Sequence, residues 1–452
     1  MKLPRVLIAL LALAGVGLAP VPDPHVILIS IDGLMASTYN SPGPARIPTL
    51  RALAAGGASA EGVVGVLPSE TYPSHTTLMT GVSPAVHGIY ANGMFDPEGR
   101  TSGAWHWYGS EIRVPTLLGA AKSRGLRTSA ISWPVTVGSD IDYHVPEFWR
   151  AGFGADHLES LLLLRAISTP NLIDTMEIAR RKPFTPRQTD ADRTDMASII
   201  LRTYQPHLML LHLTELDSAQ HKSGPGSPGA IETLERIDGY VASLVQTVAD
   251  AGIRDSTYFA IVSDHGFLPI GTQLQPNALF RQEKLLETDA AGRIVNWQAY
   301  YDACGGSGFI FLKDPSDTAL TTRVRSLLDR LKADPANGIQ TLWTREDLDR
   351  IGAFPGASFG IGMRPDFYTG RGTDQLLLKT PMGGGHGFDP QLPALHSSLI
   401  VSAPAIGRRG PLGVVRMTQI APTVARWLGV GLSPQADQPI EALLPQSGRQ
   451  SQ

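Results

Sequence analysis

The stretch HVILISIDG, from His25 to Gly33, decides the fold class. Its apolar, largely β-branched residues, followed at once by Asp-Gly, are typical of a fully buried parallel strand that ends in a turn. Similar apolar runs recur along the chain, and amphipathic helical patterns lie between several of them. This alternation predicts an α/β fold with a mostly parallel central sheet and helices on both faces. The other predicted strands are residues 60–67, 127–133, 207–213, 257–263, 308–312 and 396–401, and the clearest predicted helices, whose apolar faces should pack onto the sheet, are residues 230–251, 321–333 and 418–428.

Length and composition set the broad class of protein. The chain has 452 residues, 42% hydrophobic and 17% charged, so it can bury one large core or two modest ones. Its 38 basic and 41 acidic side chains leave a formal charge of −3, which provides no field for a nucleic-acid polymer, and none is predicted as a partner. Cys304 is the only cysteine, which excludes an internal disulfide. The sequence does not indicate an oligomeric state.

The first residues have the pattern of an export signal. Residues 1–19 combine a basic start with a short apolar run and a small residue at Ala19, as secretory signal peptides do. Export to a periplasm or to the cell exterior is therefore predicted. Because Pro20 is a poor neighbour for a cleavage site, an uncleaved N-terminal anchor is the alternative, and contact with a membrane is expected only if that segment is retained.

Five short segments place metal-type ligands or a hydroxyl just after a predicted strand or in a Gly-rich loop. Ligands of open α/β sheets bind beyond the carboxyl ends of the strands, which is where these segments lie. Taken singly, each has an ordinary interpretation as a turn residue, a helix cap, a solvated ion pair or a loop residue. Together, Asp and His ligands suit catalytic Zn²⁺, with manganese and iron as alternatives. The segments contain Asp32 with Gly33, Thr71 within 69–75, Asp217 with His221, Asp264 with His265, and His386 within 384–387.

The order and spacing of these segments resemble the nucleotide pyrophosphatase/phosphodiesterase branch of the alkaline phosphatase superfamily, over about residues 26–429. The strongest parts are the strand that ends in DG at 32–33, TYPSHTTLMTG at 71–81, HGI at 87–89 with Asn92, ELD at 215–217 with HKSGP at 221–225, SDHG at 263–266, and HGFD at 386–389. The resemblance implies an alkaline-phosphatase-like fold and two zinc ions. One ion would be surrounded by Asp32, Thr71, Asp264 and His265, and the other by Asp217, His221 and His386.

The domain organisation follows from the extent of this resemblance. Residues 25–430 are expected to form one alkaline-phosphatase-like catalytic domain, followed by a C-terminal tail at 431–452. Two polar, Pro-containing stretches, near 168–194 and 268–303, interrupt the alternation of strands and helices. We interpret them as insertions or a small cap region rather than as independent domains.

Thr71 is the nucleophile that the resemblance implies. Coordination to Zn²⁺ would stabilise its alkoxide, and the second metal would activate the water that hydrolyses a phospho-threonine intermediate. If Pro73 opens a helix, Thr71 lies at the helix N-terminus, where backbone N–H groups and the helix dipole favour phosphate oxygens. Asn92 would add a side-chain donor.

The predicted substrate is a small phosphate diester or a nucleotide. Tyr72 and Trp133 are candidates for an apolar shelf beneath the second ester group. His212 stands where nucleotide-cleaving relatives carry a base-stacking tyrosine, and stacking on imidazole is weaker. The enzyme alternatives are a phosphomonoesterase, another phosphate or sulfate ester hydrolase of the same superfamily, or a phosphotransferase. Thr71 in place of Cys or Ser argues against the sulfatases. The non-enzymatic alternative is a catalytically silent metal- or ligand-binding protein.

Overall fold

The structure is a computed structural model that describes residues 24–101, 103–151 and 157–445. In chain order its strands are β1 (His25–Ile31), β2 (Ala58–Ser59), β3 (Gly62–Val64), β4 (Thr128–Ile131), β5 (Tyr143–Val145), β6 (Leu208–Leu213), β7 (Thr257–Val262), β8 (Leu268–Leu274), β9 (Leu286–Thr288), β10 (Ile294–Trp297), β11 (Ala299–Cys304), β12 (Ser307–Leu312), β13 (Ile339–Thr344), β14 (Phe359–Met363), β15 (Asp366–Thr369), β16 (Leu377–Gly385), β17 (Leu399–Ser402), β18 (Gly410–Pro411) and β19 (Val414–Arg416). Its α-helices are α1 (Ala36–Asn40), α2 (Pro48–Gly56), α3 (Thr71–Thr80), α4 (Pro84–His87), α5 (Leu117–Ser123), α6 (Leu158–Ile167), α7 (Leu172–Arg180), α8 (Asp190–Tyr204), α9 (Glu215–Ser223), α10 (Pro228–Asp250), α11 (Pro276–Gln282), α12 (Thr318–Ala333), α13 (Arg345–Ile351) and α14 (Ile420–Leu428).

The largest sheet has eight strands in the order β18-β2-β17-β7-β1-β6-β4-β5. Strand β1 pairs in parallel with β6 on one side and with β7 on the other, and β4 pairs in parallel with β6 and β5. Strand β17 is antiparallel to both of its neighbours. The predicted mostly parallel central sheet is therefore confirmed.

Alternate residues of β1 enter two different cores. Ile27, Ile29 and Ile31 pack on one face with side chains of α2, α8 and α10. Val26 and Leu28 pack on the other face with side chains of α5 and α14. A strand covered on both faces needs apolar residues at nearly every position, which explains why the sequence of β1 is a continuous apolar run rather than an alternating one.

Residues 268–395 build smaller sheets around a core of their own. These sheets have the orders β15-β8-β16, β11-β12-β14-β13 and β10-β9, and α12 packs into the same core. The expectation that the run at 308–312 joins the central sheet is wrong, because β12 pairs antiparallel with β11 and β14. The helix predicted at 321–333 likewise packs here. An apolar run shows that a strand is buried, but not which sheet buries it.

The regions that flank or interrupt the central sheet differ in how they pack. Helix α7, within 168–194, places its apolar side in the same core as β1. After residue 430, Ile440 and Leu443 are buried in the core on the opposite face. The predicted export signal at 1–19 lies outside the described residues. Across the part of the chain that the structure describes, no helix is both long and apolar enough to cross a membrane.

Candidate active site

The ends of three neighbouring strands bring the predicted metal ligands together. Asp32 directly follows β1, and Asp264 with His265 follows β7. Asp217 and His221 lie one turn apart on α9, which follows β6. Because β1 pairs in parallel with both β6 and β7, these strand ends meet at one edge of the sheet, where open α/β folds bind their ligands.

Asp217, His221 and His386 form one group, whose possible ligand atoms lie within 4.8 Å of one another. The Nε2 atoms of His221 and His386 lie 3.2 and 3.8 Å from Oδ1 of Asp217. Two backbone carbonyls accept from the other ring nitrogens: Nδ1–H of His221 donates to Gly384 O at 3.0 Å, and Nδ1–H of His386 donates to Ser69 O at 3.1 Å. A ring that donates through Nδ1 keeps its Nε2 lone pair for a metal.

Asp32, Asp264 and His265 form the second group. Nε2 of His265 lies 3.4 Å from Oδ1 of Asp32 and 3.2 Å from Oδ2 of Asp264. Asp217 takes part in this group too, since its ligand atom lies within 4.8 Å of those of Asp32 and His265. The two groups are adjacent, and the rings of His265 and His386 stack with their centroids 3.6 Å apart.

Several buried atoms of this cluster lack hydrogen bonds. Burial raises the pKa of Asp32 well above its usual value, and repulsion by Asp264 and Asp217 raises it further. Burial also lowers the pKa of His265 well below its usual value, which keeps this ring neutral. Close carboxylates beside neutral imidazoles offer the mixed oxygen and nitrogen donors that divalent transition metals such as zinc bind. The atoms without a hydrogen bond among the described residues are Asp32 Oδ1, Asp217 Oδ1, Asp264 Oδ2 and both ring nitrogens of His265.

Thr71 is the first residue of α3 and lines the same pocket as Asp32. The helix begins two residues earlier than the sequence suggested: Pro73 is its third residue, where its missing N–H needs no partner inside the helix. Oδ1 of Asn92 accepts the N–H of Tyr72 at 2.8 Å, which leaves the amide NH2 group of Asn92 as a donor. The structure thus brings Thr71 and Asn92 together at the start of a buried helix.

Tyr72 and Trp133 do not form a substrate shelf. Both side chains are 0% exposed. Tyr72 packs in an apolar cluster with Trp107 and Val135, and Trp133 packs in the core beneath the sheet. The expectation that their rings support an ester group is wrong, because neither ring has a face open to the pocket.

His212 is buried beside Asp32 at the wall of the pocket. Its Nε2 lies 3.1 Å from Oδ2 of Asp32, and its Nδ1 lies 3.1 Å from Ser132 O and 3.3 Å from Oε2 of Glu147. Burial on its own lowers the pKa of His212, but the hydrogen bonds to Asp32 and Glu147 and their charges outweigh burial and raise the pKa to about 10. Only 1% of His212 is exposed, so the ring offers little surface to a planar base even though it lines the pocket, and a stacking role stays a prediction.

A pocket of about 390 Å³ leads away from the ligand cluster along the ends of β6, β4 and β5. Its walls include Trp105, Glu147, Trp149 and Arg193, none of which the sequence analysis selected. Glu147 follows β5, which has only three residues and was not recognised as a strand. The clustered aromatic residues WHW at 105–107 and FW at 148–149 are the sequence feature that could have indicated this pocket wall.

The chain is similar in sequence to known phosphodiesterases and nucleotide pyrophosphatases. A family model described as "Type I phosphodiesterase / nucleotide pyrophosphatase" matches residues 26–348. The chain is 26% identical over 253 residues to ectonucleotide pyrophosphatase/phosphodiesterase family member 1 of Homo sapiens, an alignment that covers 54% of this chain and 23% of the relative. It is 26% identical over 284 residues to ectonucleotide pyrophosphatase/phosphodiesterase 1 of Saccharomyces cerevisiae, which covers 58% and 36%. The chain thus spans about a quarter of the length of the human relative.

Solved structures share the fold. Murine ectonucleotide pyrophosphatase/phosphodiesterase 5, solved as an inactive threonine-to-alanine variant in complex with AMP, superposes with a TM-score of 0.64 at 18% identity and covers 93% of this chain and 100% of that one. The human protein of the same name superposes with a TM-score of 0.63 at 20% identity, covering 93% and 99%. These likenesses confirm the predicted alkaline-phosphatase-like fold.

Proposed function

The chain belongs to the type I phosphodiesterase/nucleotide pyrophosphatase family, and from that premise we propose that it is a hydrolase that cuts phosphodiesters or the phosphoanhydride bonds of nucleotides. One observation carries the proposal: carboxylates and imidazoles from distant segments converge beside a single threonine hydroxyl. Each of these side chains taken alone has an ordinary structural explanation, and it is their convergence that favours phosphoryl chemistry. The converging side chains are Asp32, Asp217, His221, Asp264, His265 and His386, beside Thr71.

The proposed cofactors are two zinc ions. The buried atoms without hydrogen bonds support this assignment, as do the two Nε2 atoms whose rings donate through Nδ1. When bound, the metals would supply Lewis-acid charge that favours the ionised threonine oxygen and draws charge from the phosphate. The same donors accept manganese or iron. One metal would be held by Asp32, Thr71, Asp264 and His265, and the other by Asp217, His221 and His386.

Thr71 is the proposed nucleophile. Its Oγ1 bonds to phosphorus as the bond to the leaving oxygen breaks, and water then cleaves the phospho-threonine and restores the hydroxyl. The amide NH2 of Asn92 and the N-terminus of α3 would hold phosphate oxygens, because both present donors to a negative charge. The position of Thr71 at the first residue of α3, with the Asn92 side chain bonded to the next backbone N–H, supports these roles.

The proposed substrate is a small nucleotide or related phosphate diester. The pocket beside Thr71 carries Trp105 and Trp149, whose rings suit a planar base. The murine relative was solved with AMP, which supports the same class of ligand. A phosphomonoesterase is the alternative favoured by one observation, since Arg193 also lines the pocket and a cation there would suit a doubly charged monoester. Asp190, 2.8 Å from Nη1 of Arg193, offsets that charge, so the diester remains the better fit.

We also propose that the chain is exported. The relatives it resembles are named as ectoenzymes, and residues 1–19 have the composition of a secretory signal. Retention of that segment would anchor the protein to a membrane, and its cleavage would release it.

The test is hydrolysis by wild type and by Thr71→Ala. Purified protein with added zinc is given a nitrophenyl diester, a nitrophenyl monoester, a nitrophenyl sulfate and a dinucleotide, and kcat/KM is ranked. We expect the two diesters to rank first. Thr71→Ala should lower kcat by about 10³-fold or more, because it removes the hydroxyl that is proposed to attack phosphorus.

The control is Thr71→Ser, which keeps a hydroxyl and should retain measurable turnover. Zinc content, measured by elemental analysis, should stay close to two ions per chain in both variants, because most proposed ligands are untouched. Unimpaired hydrolysis by Thr71→Ala would refute the nucleophile, and a wild type that prefers the monoester or the sulfate would refute the substrate class.

A further inference from the structure

Asp32 presents its two carboxylate oxygens to different partners. Oδ2 lies 3.1 Å from Nε2 of His212, while Oδ1 has no hydrogen bond among the described residues and lies 3.4 Å from Nε2 of His265. The carboxylate therefore has a fixed orientation, in which Oδ2 contacts His212 and Oδ1 faces the other metal-type ligands. A group that fixes His212 fixes this orientation as well.

Both sides of the His212 ring are tied to oxygen atoms. Nε2 faces Asp32, and Nδ1 faces Ser132 O at 3.1 Å and Oε2 of Glu147 at 3.3 Å. The His212 side chain is 1% exposed, and the Glu147 side chain is 15% exposed. A buried ring held at both nitrogens cannot rotate about its Cβ–Cγ bond without breaking these hydrogen bonds.

We propose that Glu147 is a positioning residue for metal binding, which acts through His212 to aim Oδ1 of Asp32 at the cation. The proposal rests on the metal site of the proposed function. Glu147 itself lies on the wall of the substrate pocket, so a side chain outside every proposed ligand set orients one of the ligands. The backbone oxygen of Ser132 also accepts from Nδ1 of His212. Glu147 supplies the second contact at this nitrogen, and the two contacts together hold the ring plane in the orientation that reaches Asp32.

The experiment measures zinc affinity rather than activity, by competition with a chelator of known affinity. Glu147→Ala should weaken zinc binding by about tenfold or more, the effect typical of losing an outer partner of a metal ligand. Glu147→Gln should retain most of the affinity, because the amide oxygen still accepts from Nδ1–H. Gln188→Ala is the control. Gln188 lines the same pocket, but its amide donates to the carbonyls of Thr185 and Pro186 and to none of the proposed ligands, so the zinc affinity of this variant should match that of wild type.

Two comparisons separate positioning from other effects of Glu147. If the Gln and Ala variants are equally weak, the effect is loss of negative charge near the cation, and the proposal is overturned. His212→Ala should weaken zinc as much as Glu147→Ala, and the double variant should be no weaker than either single one, since both act through one contact chain. Additive losses in the double variant would overturn the proposal too.

Folding and the proposed function are checked separately. Thermal unfolding of the metal-free variants shows whether each one folds, and if His212→Ala does not, the comparison of Glu147→Gln with Glu147→Ala still decides. Wild type that binds no zinc would overturn both this inference and the metal site. Wild type that binds two zinc ions but hydrolyses no ester would refute the hydrolase alone, and the Glu147 measurement would remain valid.

Discussion

At the scale of single residues, backbone carbonyls decide which nitrogen of each histidine is available. Gly384 O accepts from Nδ1–H of His221, and Ser69 O accepts from Nδ1–H of His386. In both rings Nε2 therefore carries the free lone pair and faces Asp217. His221 and His386 could be selected as candidate ligands from motifs in the sequence. Their partners could not, because Gly384 and Ser69 lie 163 and 317 residues away along the chain from the rings that they orient.

Asn92 has one observed contact, with the N–H of Tyr72, and one proposed function, as a donor to a substrate oxygen, and a single substitution can separate them. In Asn92→Asp a carboxylate oxygen still accepts the N–H of Tyr72, but the NH2 donor is lost and a negative charge is added. We expect kcat/KM for a nitrophenyl diester to fall by about 10²-fold or more, as when an oxyanion donor is removed. The thermal midpoint should stay close to that of wild type.

Asn92→Ala is the matched comparison for that prediction. It removes the acceptor as well and leaves a buried N–H at the start of α3 without a partner, which costs about 1–3 kcal/mol. If Asn92→Asp hydrolyses the diester at the wild-type rate, Asn92 contacts no substrate oxygen and serves only the helix.

At the scale of elements, α3 is held on all sides. All ten of its residues are buried, and the helix ends at Gly81, which adopts the left-handed conformation (φ 76°) that glycine tolerates. His87, at the end of α4, ties the two helices together: Nδ1 accepts the N–H of Ile89 at 3.1 Å, and Nε2–H donates to Oγ1 of Thr77 at 3.1 Å. These bonds require a neutral ring.

His87 makes the stability of this helix pair depend on pH. Burial lowers its pKa from 6.5 to about 3, so the folded state prefers the neutral ring more than the unfolded chain does. Its contribution is present above pH 6.5 and is lost as the pH falls from 6.5 toward 3. Between pH 7 and pH 5 the loss should be about 2 kcal/mol.

The measurement is denaturant unfolding of metal-free wild type and His87→Asn at both pH values. The variant, which cannot take up this proton, should lose less free energy of unfolding between pH 7 and pH 5 than wild type by about that 2 kcal/mol. Equal losses would mean that His87 takes up its proton as readily in the folded protein as in the unfolded chain, contrary to the two hydrogen bonds.

Long elements were predictable and short ones were not. Strand β1 occupies the predicted residues 25–31, and β6 and β7 each differ by one residue at one end. Strand β5 has three residues, too few for a period to show, and Glu147 escaped selection with it. Strand β12 was found but assigned to the wrong sheet, since pairing partners are chosen by tertiary packing rather than by local pattern.

At the scale of the whole molecule, the ligand cluster joins parts of the chain with different cores. Asp32 and Asp264 follow strands of the central sheet, whereas His386 directly follows β16 of a smaller sheet. Nearness to a site motif in the sequence also does not predict which aromatic side chains line the pocket. Tyr72 and Trp133 lie next to site motifs in sequence but face apolar clusters, while Trp105 and Trp149 reach the pocket from loops.

Metal should therefore stabilise the entire chain. A ligand that binds only the folded state adds RT ln(1 + [L]/Kd), about 4 kcal/mol at 1,000 times Kd. We expect a chelator to lower the thermal midpoint by several degrees and added zinc to restore it. In Asp217→Ala, which removes a ligand atom shared by both groups, zinc should shift the midpoint far less. A chelator that leaves the wild-type midpoint unchanged would contradict a metal that bridges the sheets.

The distance in sequence between Asp32 and His386 has a consequence for biosynthesis. A ribosome working at about 10 residues per second needs roughly half a minute to pass from one to the other. Throughout that interval the nascent chain carries the first carboxylates without the imidazole that completes their surroundings. The complete set of proposed metal ligands therefore exists only once His386 has been synthesised, so we expect the cations to bind late in the synthesis and folding of the chain.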